Sequence, residues 1–200
     1  KSAGVHRMQF GLESGNEEYR INTLLRRVKQ EKYIEKAQII NDSGIPYGLN
    51  VIIGMPDETR EMVMDTARLC RDIGGYDGLG VSIFIPYHGT GLRELAVSKG
   101  YMPYDMIGSE FGLQGKPTLV MPEPYLQQDE VMELARKFKL YAYFDEKYWP
   151  EIDAATDLTE WDERYNEEFF YSSLAVGGTD RVQARKRSPW ACAADPYVEF

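Results

Sequence analysis

The stretch GIPYGLNVIIGMPDET, Gly44 to Thr59, decides the fold. Gly44 ends whatever precedes it, and an apolar, partly β-branched run from Tyr47 to Ile53 follows. Such a run suits a strand of a parallel sheet, buried on both faces. Gly54 then breaks the strand, at a point where the backbone takes an unusual φ or meets something closely. Pro56 suits a helix start, where a missing N–H costs nothing. Asp57 and Glu58 would complement the positive end of a helix dipole. The expected helix runs from Asp57 to Ile73, with Val63, Thr66, Ala67, Cys70 and Ile73 on its inner face.

Upstream, Val5 to Glu13 has the apolar pattern of a strand, and a polar stretch continues to about Gln30. EKYIEKAQIINDSG then predicts a helix with Ile34, Ala37 and Ile40 on one face, stopped by Gly44. Downstream, Leu79 to Ile85 is a third buried strand, and Gly89-Thr90 opens a short helix ending near Gly100. Strand and helix alternate at roughly 30 to 40 residues, which predicts βαβ units and a parallel sheet. Chemistry in such sheets sits beyond the carboxyl ends of the strands. Three segments should therefore share one rim: Gly11–Gly15, Ile53–Glu58 and Ile85–Thr90.

After Gly100 the pattern changes. Residues 101–124 are broken by proline and glycine and predict a meandering connection. Helices are expected from Gln127 to about Tyr143 and from Thr159 to Leu174, with an acid-rich, solvated face between Asp145 and Glu168. The expected organisation is an α/β barrel segment over 1–100 and a mostly helical extension over 101–200.

Two hundred residues carry a net charge of −9, which argues against a general nucleic-acid binder. Two cysteines make no disulfide framework and suit a reducing cytoplasm. No apolar run approaches the roughly 18 residues of a membrane span, so no membrane partner is expected. GLQGKPT (Gly112–Thr118) imitates a phosphate loop, but Glu110 occupies the first glycine's place and Pro117 follows the lysine. Cys70, on the apolar face of its helix, reads as core. No spacing of His6, His88, Cys70 and Cys192 suits a metal.

Taken singly, the rim motifs have ordinary explanations. Glu13 is satisfied by backbone N–H groups or arginine, and Gly54-Met-Pro makes a strand-to-helix turn. His88 is an exposed loop residue, and Arg26-Arg27 is a solvated charge pair. The ordered set is more specific. GLESGNEE, the arginine pair, IPYGLNVIIGMPDET and VSIFIPYHGT, in that order over about residues 3–100, resemble the second half of a radical S-adenosylmethionine (SAM) enzyme core. The resemblance is closest to the branch whose members often carry a cobalamin-binding domain.

That resemblance implies the C-terminal half of a partial (β/α)₆ barrel, in which a [4Fe–4S] cluster held by three cysteines binds SAM and its cleavage yields a 5′-deoxyadenosyl radical. It implies that Glu13 and Ser14 lie near the ribose and methionyl part of SAM, and that Arg26, or Arg27 after a longer linker, takes the SAM carboxylate. Ile52 and Gly54 would flank the adenine, Phe84 and Ile85 would edge it, and Glu58 would tie its turn. Asn50, Tyr87 and His88 are the expected contacts for a small-molecule or peptide substrate. Cobalamin is an option in the parent enzyme.

One element of the family pattern is missing. No Cys-x₃-Cys-x₂-Cys loop is present, and iron needs thiolate ligands. The chain is thus expected to be the C-terminal part of a longer cytoplasmic enzyme, inactive alone and partnered by its N-terminal half. The rival expectation is a non-catalytic α/β binding or scaffolding module. An unrelated barrel enzyme of the aldolase kind would need a lysine or metal set at the strand ends, and none is seen.

Overall fold

A computed structural model describes residues 3–106 and 116–165. Strand β1 (Met8–Glu13) leads to α1 (Glu17–Asn22) and α2 (Gln30–Ser43). Then come β2 (Tyr47–Ile53), α3 (Arg60–Ile73), β3 (Gly78–Ile83) and α4 (Gly91–Ser98). Helices α5 (Gln128–Tyr143) and α6 (Trp149–Ala154) follow, joined by a 3-10 turn at Glu146–Tyr148. Residues 159–165 are also helical, and the rest of the helix expected to Leu174 lies outside the described residues.

The three strands form one sheet in the order β1-β2-β3, and both pairings are parallel. Met8 lies beside Tyr47, and Val51 beside Val81. The expected βαβ units are therefore present, with β2 over its expected span. Among the described residues the outer edges of β1 and β3 have no strand partner.

Alternation along β2 separates two faces. Tyr47, Leu49, Val51 and Ile53 are buried, while Asn50 and Ile52 are half-buried on the other side. The buried side is covered by α3 and by α5, which also packs on β3. Helix α3 presents Val63, Thr66, Ala67, Cys70 and Ile73 inward, as its periodicity predicts, and adds Met64 and Leu69. From α5 come Val131, Leu134, Phe138 and Tyr141, so the extension shares one core with the first hundred residues. Each such fully buried side chain contributes about 2 kcal/mol. Helix α6 is tied on by Trp149, whose indole N–H donates to the Tyr141 carbonyl at 3.2 Å. Arg68 stacks on the Trp149 ring and pairs with Glu61, Asp65 and Glu146.

Three boundaries differ from expectation. β1 starts at Met8 rather than Val5, and β3 spans Gly78–Ile83 rather than Leu79–Ile85. Helix α3 starts at Arg60, three residues later than expected, because Thr59 is its cap and accepts from the Met62 N–H. Asp57 and Glu58 thus precede the helix and do not serve its dipole. Both belong to the turn, and each has a separate task there.

Candidate functional site

A cleft of about 650 Å³ opens at the carboxyl ends of the strands. Glu13 at the end of β1, Ile52 near the end of β2 and Phe84 just beyond β3 all line it. The connection after α1 adds Leu24, Leu25 and Arg26, the turn after β2 adds Met55 and Asp57, and α4 adds Gly91, Leu92 and Leu95. Of the three segments expected to share this rim, Gly11–Gly15 and Ile53–Glu58 line the cleft, whereas no residue of Ile85–Thr90 does. The third strand is represented by Phe84, just before that segment.

The wall formed by β1 is charged. A bulge between Gly11 and Glu13 shifts the register of β1 and buries Leu12 completely. Glu13 takes φ 64 and turns its carboxylate back over Gly11, where a Cβ would stand 2.4 Å from Glu13 Oε1. A side chain at residue 11 would displace that carboxylate. The Arg26 guanidinium donates to Glu13 Oε1 at 2.9 Å and to the Gly11 carbonyl at 3.1 Å. Arg26 lines the cleft, whereas Arg27 is exposed and outside its lining. Of the two arginines left open by the sequence, Arg26 has the reach.

Glu58 ties the turn. Its Oε2 accepts from the N–H groups of Gly54 at 2.6 Å and Met55 at 3.2 Å, and the side chain is buried. Burial pushes its carboxyl up to about 8, although the two backbone donors act in the opposite direction. Its other oxygen, Oε1, has no hydrogen-bond partner among the described residues. Tyr19 closes the turn from outside by donating to the Pro56 carbonyl at 2.7 Å.

Several expected contacts lie elsewhere. Ser14 is fully buried, with its hydroxyl accepting from the Asn16 N–H, and is outside the cleft lining. Gly54 faces the opposite way: at φ 84 a Cβ there would stand 2.9 Å from Val131 Cγ1 of α5. Its glycine is required by backbone conformation and by helix packing. Ile85 is outside the lining as well. Asn50 lies on the sheet face, accepting from Gln9 Nε2 at 2.9 Å, and Tyr87 and His88 are exposed in the loop after β3. None of these three lines the cleft.

Asp57, which sequence alone places at a helix dipole, lines the cleft at φ 63, with Tyr101 Oη donating to its Oδ1 at 2.6 Å and Lys99 Nζ to its Oδ2. Among the described residues, the non-glycine positions with positive φ are Glu13, Leu25 and Asp57. All three line this cleft. Left-handed backbone costs a residue with a Cβ about 1 kcal/mol or more, and such costs concentrate at functional sites.

This donor set fits one end of a zwitterionic nucleoside. Arg26 suits a carboxylate, Glu13 suits an ammonium, a sulfonium or ribose hydroxyls, and the apolar side chains suit a flat base. An iron–sulfur cluster is another matter. Among the described residues no group of three or more His, Cys, Asp or Glu side chains is placed to hold a metal. Cys70 is buried in the core, where desolvation raises its thiol pKa, and Cys192 lies outside the described residues. The cleft residues fit SAM, and the thiols do not fit the cluster.

No helix among the described residues is long and apolar enough to cross a membrane. No curated protein matches the chain. A family model does: the Radical SAM superfamily matches residues 1–70. The matched residues include Glu13, Arg26, Ile52 and Asp57 of the cleft lining.

Proposed function

We propose that the chain is the C-terminal half of a radical SAM barrel and that the cleft is its share of the SAM site. The observation that carries this reading is the convergence of Glu13, Arg26, Ile52 and Phe84 on one cleft at the carboxyl ends of parallel strands. The match over residues 1–70 supports the superfamily part of this reading. In enzymes of this superfamily, bound SAM supplies an adenosyl radical or a methyl group.

The residues here bind and orient. Glu13 and Arg26 pair with each other in the free protein. An entering amino acid group replaces that pair with two new ones, its carboxylate on Arg26 and its ammonium on Glu13. Because one ion pair is exchanged for two, little desolvation is left uncompensated. Ile52, Met55 and Phe84 shield the nucleoside from water. The open edge of β1 is where a further strand of the barrel would add, and the cysteine loop belongs to that other half. Cobalamin use, and the choice among methyl transfer, ring-forming oxidation and other C–H functionalisation, belong to that half too. Tyr87 and His88, exposed beyond β3, and Asn50 on the sheet face are the proposed contacts for a small-molecule or peptide substrate.

Calorimetric titration of the chain with SAM tests the reading. Glu13→Ala and Arg26→Ala should each weaken binding by about tenfold, the scale of one charge-assisted contact. Equal affinity in the wild type and both variants would remove SAM from this cleft.

A further inference from the structure

The cleft has two polar ends. Glu13 and Arg26 occupy the β1 end. At the α4 end stands Asp57, clamped by Tyr101 and Lys99 from the segment just after that helix. Between them lie Ile52, Met55, Phe84, Leu92 and Leu95, an apolar slot suited to a flat ring. The turn that holds Asp57 has two left-handed positions three residues apart: Gly54 at φ 84 and Asp57 at φ 63. One is glycine, which adopts this backbone freely. The other carries a carboxylate, against its backbone preference.

We propose that Asp57 accepts a hydrogen bond from the exocyclic amine of the bound base, so that the cleft selects an adenine nucleoside. This rests on the reading of the cleft as a SAM site. The chemistry follows from the groups present. Each oxygen of Asp57 receives one donor, which fixes the carboxylate and leaves a further lone pair on each for a ligand. Adenine presents an N–H donor at its six-position, whereas hypoxanthine and guanine present a carbonyl that a carboxylate repels. The zwitterionic end of the ligand matches Glu13 and Arg26, which leaves the base for the apolar slot and Asp57.

The test compares S-adenosylhomocysteine with S-inosylhomocysteine, which differ at that amine, by calorimetry on the chain. The wild type should favour the adenosyl compound by about tenfold or more. Asp57→Gly relieves the left-handed strain but gives up the bonds from Tyr101 and Lys99, so the variant should fold within about 2 kcal/mol of wild type, and its preference should fall to within about twofold. Asp57→Asn keeps a side chain tolerant of that backbone and can turn its carbonyl to the adenine amine or its N–H to the hypoxanthine carbonyl, so the preference should shrink toward that of Asp57→Gly. Glu13→Ala should weaken both compounds alike. A preference that survives in Asp57→Gly, or a wild type that binds both compounds equally, overturns the assignment and leaves the cleft reading intact. Binding of neither compound by the wild type overturns the cleft reading and this assignment together.

Discussion

The two ends of the parallel sheet are built by different rules. Where the strands begin, left-handed backbone is given to glycine: Gly44 at φ 63 caps α2, and Gly74 at φ 52 ends α3. Side chains there close on backbone, as when Tyr47 donates its hydroxyl to the Gly74 carbonyl at 2.5 Å. Where the strands finish, Glu13, Leu25 and Asp57 take the same backbone region and face a cleft. The first end is arranged for stability. The second holds cleft-lining side chains at positions where stability alone would place glycine.

The most severe way to break this comparison is Gly54→Val. Gly54 sits at the cleft end but obeys the rule of the other end, since both its φ of 84 and the approach of Val131 Cγ1 to 2.9 Å exclude a side chain. Urea denaturation should show a loss of about 3 kcal/mol or more. Adding Val131→Ala should return part of that loss, and no return would mean that Val131 is not what Gly54 meets. Gly74→Ala is the control at the far end. Among the described residues a Cβ there meets only the Arg71 carbonyl, at 3.6 Å, so backbone strain alone should cost about 1 kcal/mol.

Glu58 sharpens the comparison through pH. Its carboxyl is raised to about 8 in the folded chain, from an ordinary 4.5. Between those values the folded state keeps a proton that the unfolded state has released. Stability is therefore full below pH 4.5 and falls as pH rises toward 8, by an amount on the order of a few kcal/mol. Urea midpoints measured from pH 5 to pH 8 should decline in the wild type and flatten in Glu58→Gln. Parallel slopes in the two proteins would show that another group titrates.

Two smaller effects test the strained positions and the surface. Glu13→Gly removes a left-handed side chain, so folding stability should stay within about 1 kcal/mol of wild type while SAM binding weakens. A larger loss on urea denaturation would mean that the Glu13–Arg26 pair is structural. Arg68→Ala, far from the cleft, breaks partly exposed ion pairs with Glu61, Asp65 and Glu146 and should cost roughly 0.5 kcal/mol. A loss above about 2 kcal/mol would show a network acting as a unit.

Much of the fold was legible in local pattern. The apolar run of β2 gave both its ends, and the 3.6-residue period of α3 named every inner residue expected of it. Gly44 and Thr90 mark their helix ends by ordinary capping chemistry. The helix start after Gly54 was misplaced because two acids before a helix look like dipole partners, and nothing local shows that Glu58 instead turns back onto two backbone N–H groups. The lining of the cleft was legible in part. Glu13, Arg26, Ile52 and Phe84 line the cleft, while Ser14, Gly54 and Ile85 do not.

By itself the sequence determined the alternation of elements, the parallel sheet and the end of it at which the cleft opens. Those follow from periodicity and turn residues, which act over a few positions. Only the tertiary structure decided that Gly54 answers to Val131 in a helix far along the chain, that Arg26 rather than Arg27 reaches Glu13, and that Asp57 faces the cleft. Side-chain direction at a turn depends on φ and on partners distant in sequence, and neither is written in the neighbouring residues.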